Sequence, residues 1–397
     1  NWCTTAKTSP LTVASGNGYF INTSGGAITV TLPSSPSAGD IVALKDYGNT
    51  WNTNAVTLCR NSSKINGECN NANLSTESQS VTLIYVDGTK GWQDIHDSTS
   101  NVTGTPLFIS ATGGTITTVC TNFKVHTFTG DGTFTINSAP TPANNNVSYM
   151  VVAGGGGGGR SAGGGGGAGG FREGETPAAP YTGSPLKAGT GVPVSVQAYP
   201  IIIGGGGAGS TSNPVRGANG GVSTFSTITS AGGGGGGSDG APVNSGGPGG
   251  SGGGTRANTN TSGGTGNTPP VSPPQGNPGG NTSAPPYPGC NASGGGGATV
   301  AGVNNGSGTP SPTMGDGGAG ATTSINGSPN SFAGGGGGPN NAPGPAGVGG
   351  IGGGGNGDGC GQSESVGTIN TGGGGGGGRS CGNAGGSGIV IIRYKFQ

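Results

Sequence analysis

The sequence predicts an all-β N-terminal part followed by a glycine-rich C-terminal bundle of polyglycine-II-type helices, with essentially no α-helix. The chain has 397 residues and 100 glycines, of which 14 lie in residues 1–150 and 86 lie after them. In the first 150 residues, apolar side chains occur in short β-branched runs, which are typical of strands. No segment keeps the 3.6-residue apolar period of a helix over enough positions to predict one.

Residues 1–98 are predicted to form a small β domain. Its apolar runs are bounded by Gly, Pro, Asn, Asp or Ser, the residues that end strands and form turns. The Asp87-Gly88 pair predicts a turn, and Trp92 is expected on the strand that pairs back after it. The runs that predict strands are 27–32, 41–44, 56–58 and 81–86.

Residues 101–152 are predicted to form a second β unit, whose last apolar run, 147–152, leads directly into glycine. The chain closes on a run of the same kind, at 389–394. If a strand within 388–397 pairs with the strand before the glycine region, both ends of that region are held together in one sheet. This arrangement argues against a free tail and makes residues 153–387 a third, glycine-rich domain that displays loops.

Eight runs of at least four consecutive glycines organise the third domain. A polyproline-II-type helix has three residues per turn and no internal hydrogen bonds, so glycine helices of this kind can pack side by side and bond to several neighbours. The alternative is a disordered glycine-rich spacer, which the composition also suits. Apolar residues before several runs and the low charge content favour the ordered bundle. The runs are 154–159, 163–167, 204–207, 232–237, 294–297, 334–338, 352–355 and 372–378.

Charge and motif content exclude several classes of function. Lys and Arg number 14 and Asp and Glu number 14, so the chain offers no basic face for nucleic acid. No apolar run approaches the roughly 20 residues of a membrane span. His96 and His126 are expected at the surface of strands, away from any nucleophile motif. We therefore expect no catalytic residue, no metal site, no cofactor and no enzymatic activity.

The seven cysteines leave the redox state open. Cys59 and Cys69 bracket an Asn-Gly turn and are a candidate local disulfide, and Cys360 and Cys381 flank the last glycine run and are a second candidate. Disulfides suit an extracellular particle, whereas reduced and buried thiols suit assembly in cytoplasm.

Particular segments resemble bacteriophage tail fibres. The apolar lead 149–153 with its glycine run, followed by 163–171, resembles the glycine-rich C-terminal domain of these fibres, and 385–394 resembles the way that domain closes. A further part of the chain is similar to a β domain in fibres of marine phages. It comprises 18–21, 26–33, 39–40 and 45–47. The similarity to tip adhesins of T-even-like phages is weaker.

The resemblance implies a distal tail-fibre protein or adhesin, located on the virion tail outside the cell. It implies a sandwich of glycine-rich helices whose end loops contact the host receptor, a host cell-surface glycan or an outer-membrane protein. It also implies that the chain binds other tail or fibre proteins and that it forms a homotrimer. Tyr and Arg are favoured contact residues, and Asn, Ser and Thr suit polar epitopes. The candidate receptor-binding residues are Phe171, Arg172, Tyr181, Lys187, Tyr199, Arg256 and Tyr287.

Two other functions stay open. The chain could be a structural subunit of an extracellular filament or a virion decoration protein, in which the glycine bundle supplies stiffness. A depolymerising enzyme on a fibre is the weaker alternative. The sequence has no initiator Met and no heptad shaft, so we expect either the distal part of something longer or attachment through another protein.

Overall fold

The computed structural model describes residues 1–97, 108–140, 145–257, 259–283, 291–305, 315–340, 345–358 and 365–397. The chain divides into two compact units, residues 1–107 and residues 108–397. The described residues contain strands, turns and extended segments but no helix, which confirms the predicted fold class.

The first six strands of the first unit alternate between two sheets, because the chain crosses from one sheet to the other after each of them until β6. In one sheet β1, β3 and β5 are parallel neighbours, and in the other β2, β4 and β6 are parallel neighbours. Antiparallel strands complete each sheet, β8 and β9 in the first and β7 in the second. The strands are β1 (Trp2–Lys7), β2 (Leu11–Thr12), β3 (Asn17–Ile21), β4 (Ile28–Thr31), β5 (Ile41–Asp46), β6 (Val56–Cys59), β7 (Ala72–Leu74), β8 (Ser80–Tyr85) and β9 (Trp92–Asp97).

Side chains on the strands of the first unit alternate between a buried and a more exposed face. Val42 and Leu44 of β5 are fully buried, whereas Ile41 is 39% exposed. The predicted hairpin is confirmed, since Trp92 lies opposite Tyr85 and the Asp87 carboxylate accepts hydrogen bonds from the next backbone amides.

The second unit contains two large sheets that pack face to face. One sheet has the order β11-β12-β23-β14-β15-β16, with β17 paired to β14, and the other has the order β10-β13-β18-β19-β20. A separate hairpin consists of β21 and β22. The strands are β10 (Ser110–Thr112), β11 (Thr115–Val119), β12 (Phe123–Phe128), β13 (Gly132–Ser138), β14 (Asn146–Val152), β15 (Phe171–Gly174), β16 (Lys187–Ala188), β17 (Val192–Pro193), β18 (Ala198–Ile202), β19 (Ser223–Phe225), β20 (Ile228–Ser230), β21 (Ala321–Thr323), β22 (Asn330–Phe332) and β23 (Ile389–Lys395).

Strands β14 and β23 are antiparallel neighbours at the centre of the larger sheet. Val151 and Ile392 pack into the core between the two sheets, together with Phe134. Met150 and Ile391, on the opposite face, pack into a second core with the β21–β22 hairpin. Both faces of these strands are buried, which explains why apolar residues occupy consecutive positions, 149–152 and 389–392, rather than alternate ones.

His126 is buried, which corrects the expectation that it lies at the surface. Its strand, β12, lies between β11 and β23, and its ring contacts that of Phe134, on β13 of the other sheet, at 5.0 Å between centroids. Its Nδ1 lies 2.7 Å from the Gly113 carbonyl oxygen and its Nε2 lies 3.1 Å from the Tyr394 hydroxyl. Burial lowers the pKa of His126. His96, in contrast, is exposed.

The candidate disulfide between Cys59 and Cys69 is not formed in this structure, where both are free thiols. A hydrogen bond from the Arg60 amide to the Asn71 side chain closes this loop instead, at 3.1 Å. Cys381 is also free, and Cys360 lies outside the described residues.

Candidate functional site

The backbone of residues 154–159 forms a polyglycine-II helix. Its amides donate hydrogen bonds of 2.8–3.0 Å to other segments, and amides three residues apart donate to the same segment. This repeat is the three-residue turn of the polyproline-II geometry. The acceptor segments are 218–221 for residues 154 and 157, 383–386 for residues 155 and 158, and 164–167 for residues 156 and 159.

The carbonyl groups of the same helix accept hydrogen bonds from three further segments, again in steps of three residues. The donor segments are 207–210, 233–236 and 375–378. Each backbone group of residues 154–159 is therefore satisfied by a neighbour, and the helix has six neighbours in all. Residues 163–170 are surrounded in the same way, so the segments form a hexagonally packed bundle, the glycine bundle.

The packing of the glycine bundle explains why its interior is glycine. A Cβ atom added at any residue of 154–159 would lie only 1.9–2.2 Å from a carbonyl oxygen of a neighbouring segment. Contacts that short do not occur between real atoms, so any side chain would push the segments apart. Glycine loses the most backbone entropy on ordering, and the hydrogen bonds to six neighbours offset part of that loss.

The hydrogen-bond register gives the glycine bundle two distinct ends. Residue 153 follows directly on β14, so this end is proximal to the sheets and the end at residue 159 is distal. Ser210 and Gly378 donate to the carbonyls of Gly158 and Gly159, so the loops that follow them turn at the distal end. We call the loops that turn there the distal loops. They are residues 160–162, 211–216, 238–245, 255–257 and 379–381.

Arg160 ties three of the other distal loops together. Its backbone amide donates to the Ser238 hydroxyl at 3.1 Å. Its Nε donates to the carbonyl of Ser380 and its Nη1 donates to the carbonyl of Thr211, both at 2.9 Å. One guanidinium thus fixes the spacing of loops that are far apart in sequence.

Arg216 joins two of the distal loops by hydrogen bonds. Its Nε donates to the Ser245 carbonyl at 2.7 Å, and its Nη2 donates to the Ser245 hydroxyl at 2.7 Å and to the Pro242 carbonyl at 3.1 Å. These bonds hold loop 238–245 against loop 211–216.

Two further arginines form ion pairs at the distal end. Arg256 Nε lies 3.3 Å from Asp239 Oδ1 and also donates to the Ser161 carbonyl at 3.0 Å. Arg379 Nε lies 3.8 Å from Asp358 Oδ2. The arginines are all partly exposed, so they shape the distal surface as well as hold it together.

Among these four arginines, only Arg256 is a candidate from the sequence. A signal for the others was present, because Arg160 and Arg379 each directly follow a glycine run and Arg216 directly precedes Gly217. A long donor at the end of a glycine helix is placed to satisfy carbonyl groups of the turning chain.

Phe171 and Tyr199 are buried, which corrects the expectation that they face a receptor. Phe171 begins β15 and is 1% exposed in the core with Met150 and Val152. Tyr199 lies on β18, is 8% exposed and packs against Phe225 with ring centroids 6.1 Å apart. Both residues belong to sheet strands rather than to loops.

Tyr181 lies on the loop between β15 and β16, and Lys187 is the first residue of β16, which pairs with β15. The Glu175 carboxylate accepts a hydrogen bond from the Tyr181 amide and forms an ion pair with Lys187. The guanidinium of Arg393, on β23, lies 5.6 Å from the centre of the Tyr181 ring. Burial raises the pKa of the Tyr181 hydroxyl. Arg172, on β15, is half-buried.

Of the candidate residues, only Arg256 therefore lies on the distal loops, and Tyr287 lies outside the described residues. Within the described ranges, no three His, Cys, Asp or Glu side chains are grouped to hold a metal ion. In the same ranges, no helix is long and apolar enough to cross a membrane.

The model of a glycine-rich domain family matches residues 127–395, well over half of the chain. The chain belongs to this glycine-rich domain family. The match begins in β12 and ends at the last residue of β23, so the family domain includes the central strands as well as the glycine bundle. No curated protein is similar enough to count as a relative.

Proposed function

We propose that the protein is a distal tail-fibre protein of a bacteriophage, located on the virion tail, and that it attaches the particle to the host cell surface. The distal loops of the glycine bundle are the proposed contact surface. The observation that carries the proposal is the register of the bundle, which gathers loops from distant parts of the sequence at the end remote from the sheets.

The distal loops suit this role because they carry several kinds of polar side chain and are held in place. Loops on a rigid scaffold are the usual location of binding residues. The arginine contacts reduce the freedom of the loops before binding, so less entropy is lost when a partner is bound. Because packed backbone fills the interior of the glycine bundle, few side chains are needed there, and the side chains of the loops can face outward.

The proposed receptor is a host cell-surface glycan or an outer-membrane protein. Exposed Thr211, Ser212 and Asn213 offer hydroxyl and amide groups for hydrogen bonds to either. Two of the four distal arginines are paired with aspartates, so the surface does not favour a strongly acidic ligand. Attachment to other tail or fibre proteins and a homotrimeric assembly belong to the same proposal, and no catalytic step is part of it.

The experiment that tests the proposal measures attachment to cells. Purified full-length protein, fluorescently labelled, is added to a panel of bacterial strains, and bound label is counted per cell. We expect saturable binding to particular strains, and we expect unlabelled protein to block phage adsorption to them. Self-assembly into filaments without binding to any strain would contradict the proposal and support a structural subunit instead.

A further inference from the structure

The first unit carries three aromatic side chains side by side on its surface. The ring centroids of Trp2 and Phe20 are 5.1 Å apart, and those of Phe20 and Tyr47 are 6.3 Å apart. Trp2 is 50% exposed and Tyr47 is 58% exposed. We call Trp2, Phe20 and Tyr47 the aromatic platform.

The parallel strands β1, β3 and β5 build the aromatic platform. Trp2 on β1 lies opposite Gly18 on β3, and a Cβ atom at Gly18 would lie 2.5 Å from the indole ring. The indole therefore rests flat against the backbone of β3, with its other face toward solvent. Phe20 lies two residues further along β3, on the same side of the sheet as Gly18. Tyr47 directly follows β5, and its amide donates to the Ile21 carbonyl at 3.0 Å.

Three polar residues lie near the platform residues in the sheet or along the chain, Asn22 and Asn49 two positions after Phe20 and Tyr47, and each makes a hydrogen bond. Lys45 lies opposite Phe20 in the sheet, and its Nζ donates to the Ser78 carbonyl at 2.5 Å. The Asn22 side chain accepts from the Ser24 amide at 3.1 Å, and the Asn49 side chain accepts from the Ser78 hydroxyl at 2.7 Å. We call Lys45, Asn22 and Asn49 the polar rim.

We propose that the aromatic platform binds the pyranose rings of a neutral glycan. A pyranose ring presents a face of C–H groups, which packs on the electron-rich face of an aromatic ring, and hydroxyl groups at its edge, which need donors and acceptors. The platform supplies the ring faces and the polar rim supplies the amide and ammonium groups around them. The residues of this site belong to the first unit, and none of them is in the distal loops of the proposed function.

Other ligands suit the platform less well. Bases of single-stranded nucleic acid also stack on aromatic rings, but they require a basic groove for their phosphates, and the chain has no net charge. A protein partner requires a broad apolar core, whereas Thr4 and Thr5, two and three residues after Trp2, are exposed. The carboxylate nearest in sequence, Asp46, is only 2% exposed and faces the interior.

The distribution of tryptophans gives a direct assay. The chain has three tryptophans, of which Trp2 is 50% exposed while Trp51 and Trp92 are fully buried. Acrylamide therefore quenches mainly Trp2. The full-length protein is titrated with maltohexaose, cellohexaose, chitohexaose and mannohexaose, and the quenching constant is measured at each concentration. We expect at least one hexasaccharide to protect Trp2 from acrylamide in a saturable manner.

Affinity electrophoresis in gels that contain the matching polysaccharide tests the variants. We expect Trp2→Ala and Tyr47→Ala each to weaken binding by about tenfold or more, because each change removes an aromatic ring that stacks on the sugar. Trp2→Phe keeps a flat ring and is expected to retain most of the affinity. Ile95→Ala removes a side chain with 58% exposure elsewhere on the same unit and is expected to bind normally. Thermal melts confirm that each variant is folded.

Two results overturn the proposal. One is the absence of protection by all four hexasaccharides up to about 10 mM, a range that includes weak binding. The other is protection of Trp2 that rises with protein concentration in the absence of sugar, which would make the aromatic platform a contact between copies of the chain. Neither result bears on the distal loops, so the two sites are tested independently.

Discussion

Val151 of β14 lies directly opposite Val390 of β23, so the strand that enters the glycine-rich region and the strand that leaves it are paired in one sheet. These two residues are 239 positions apart in the chain, yet both are fully buried in the same core. The glycine bundle is therefore anchored at both ends of its sequence to the most buried part of the second unit.

We predict that this anchor controls the stability of the whole second unit. Ile392→Ala removes a fully buried side chain of β23 and should lower the free energy of unfolding by about 2–5 kcal/mol. Ile369→Ala is the matched control, because that isoleucine is 70% exposed and its loss should change stability by less than about 0.5 kcal/mol. Denaturant unfolding measures both. Equal effects of the two changes would contradict the anchor.

The packing of the glycine bundle predicts opposite outcomes for the same substitution at two glycines. A Cβ at Gly157 would lie 2.1 Å from the Ala208 carbonyl oxygen, whereas a Cβ at Gly205 would meet nothing within 4 Å. Gly157→Ala should therefore destabilise the second unit by about 1–3 kcal/mol or more, as overpacking does. Gly205→Ala should be neutral or stabilising by up to about 1 kcal/mol, because it restricts the unfolded chain. Thermal melts compare them, and a stable Gly157→Ala protein would be evidence against the bundle.

Because His126 is buried, we predict that the second unit loses stability in mild acid. Its pKa is lowered from 6.5 by burial, so the unfolded chain binds a proton at a pH where the folded protein does not. Stability should therefore fall as the pH drops below about 6.5, by at most about 1.4 kcal/mol per pH unit for one proton. His126→Gln should flatten this dependence between pH 7 and pH 5, while His96→Gln, at an exposed position, should leave it intact. Unchanged pH dependence in His126→Gln would show that other groups are responsible.

We predict that loss of the Arg160 side chain affects the distal loops locally and not the stability of the whole second unit. Arg160→Ala removes the side-chain bonds to the Thr211 and Ser380 carbonyls, so the distal loops should open more often while the sheets stay intact. Hydrogen exchange should become faster in residues 211–216 and 379–381 and remain unchanged in β14 and β23. Arg172→Ala, at the proximal end, is the control and should not alter exchange in these loops.

The sequence predicts the glycine bundle well where glycines are consecutive and poorly elsewhere. Residues 154–159 are a helix of the bundle as predicted. The run 352–355, however, begins with a turn, since Gly352 and Gly353 have φ values of +98° and +93°. Segment 345–351 belongs to the bundle although its glycines are scattered. Its outer residues Val348 and Ile351 are 52% and 63% exposed, so a helix at the edge needs glycine only on its inner side.

The candidate site was harder to predict than the fold. Phe171 and Tyr199 stand out in a sequence that is poor in aromatics, but an aromatic residue is as suitable for a small core as for a binding surface. Which of the two applies depends on strand pairing between distant segments, as with Tyr199 opposite Phe134. The distal position of Arg160, Arg216 and Arg379 likewise follows from hydrogen bonds between segments, which composition does not reveal.

Two exposed valines at opposite ends of one helix of the glycine bundle test directly whether the distal loops are the contact surface. Val215 is 52% exposed on a distal loop, and Val222 is 48% exposed at the proximal end, directly before β19. Each is replaced by glutamate in the full chain, and binding of the labelled protein to a susceptible strain is measured. We predict at least about tenfold weaker binding for Val215→Glu, since a charge is forced into the contact, and unchanged binding for Val222→Glu. Loss of binding with Val222→Glu but not with Val215→Glu would contradict it.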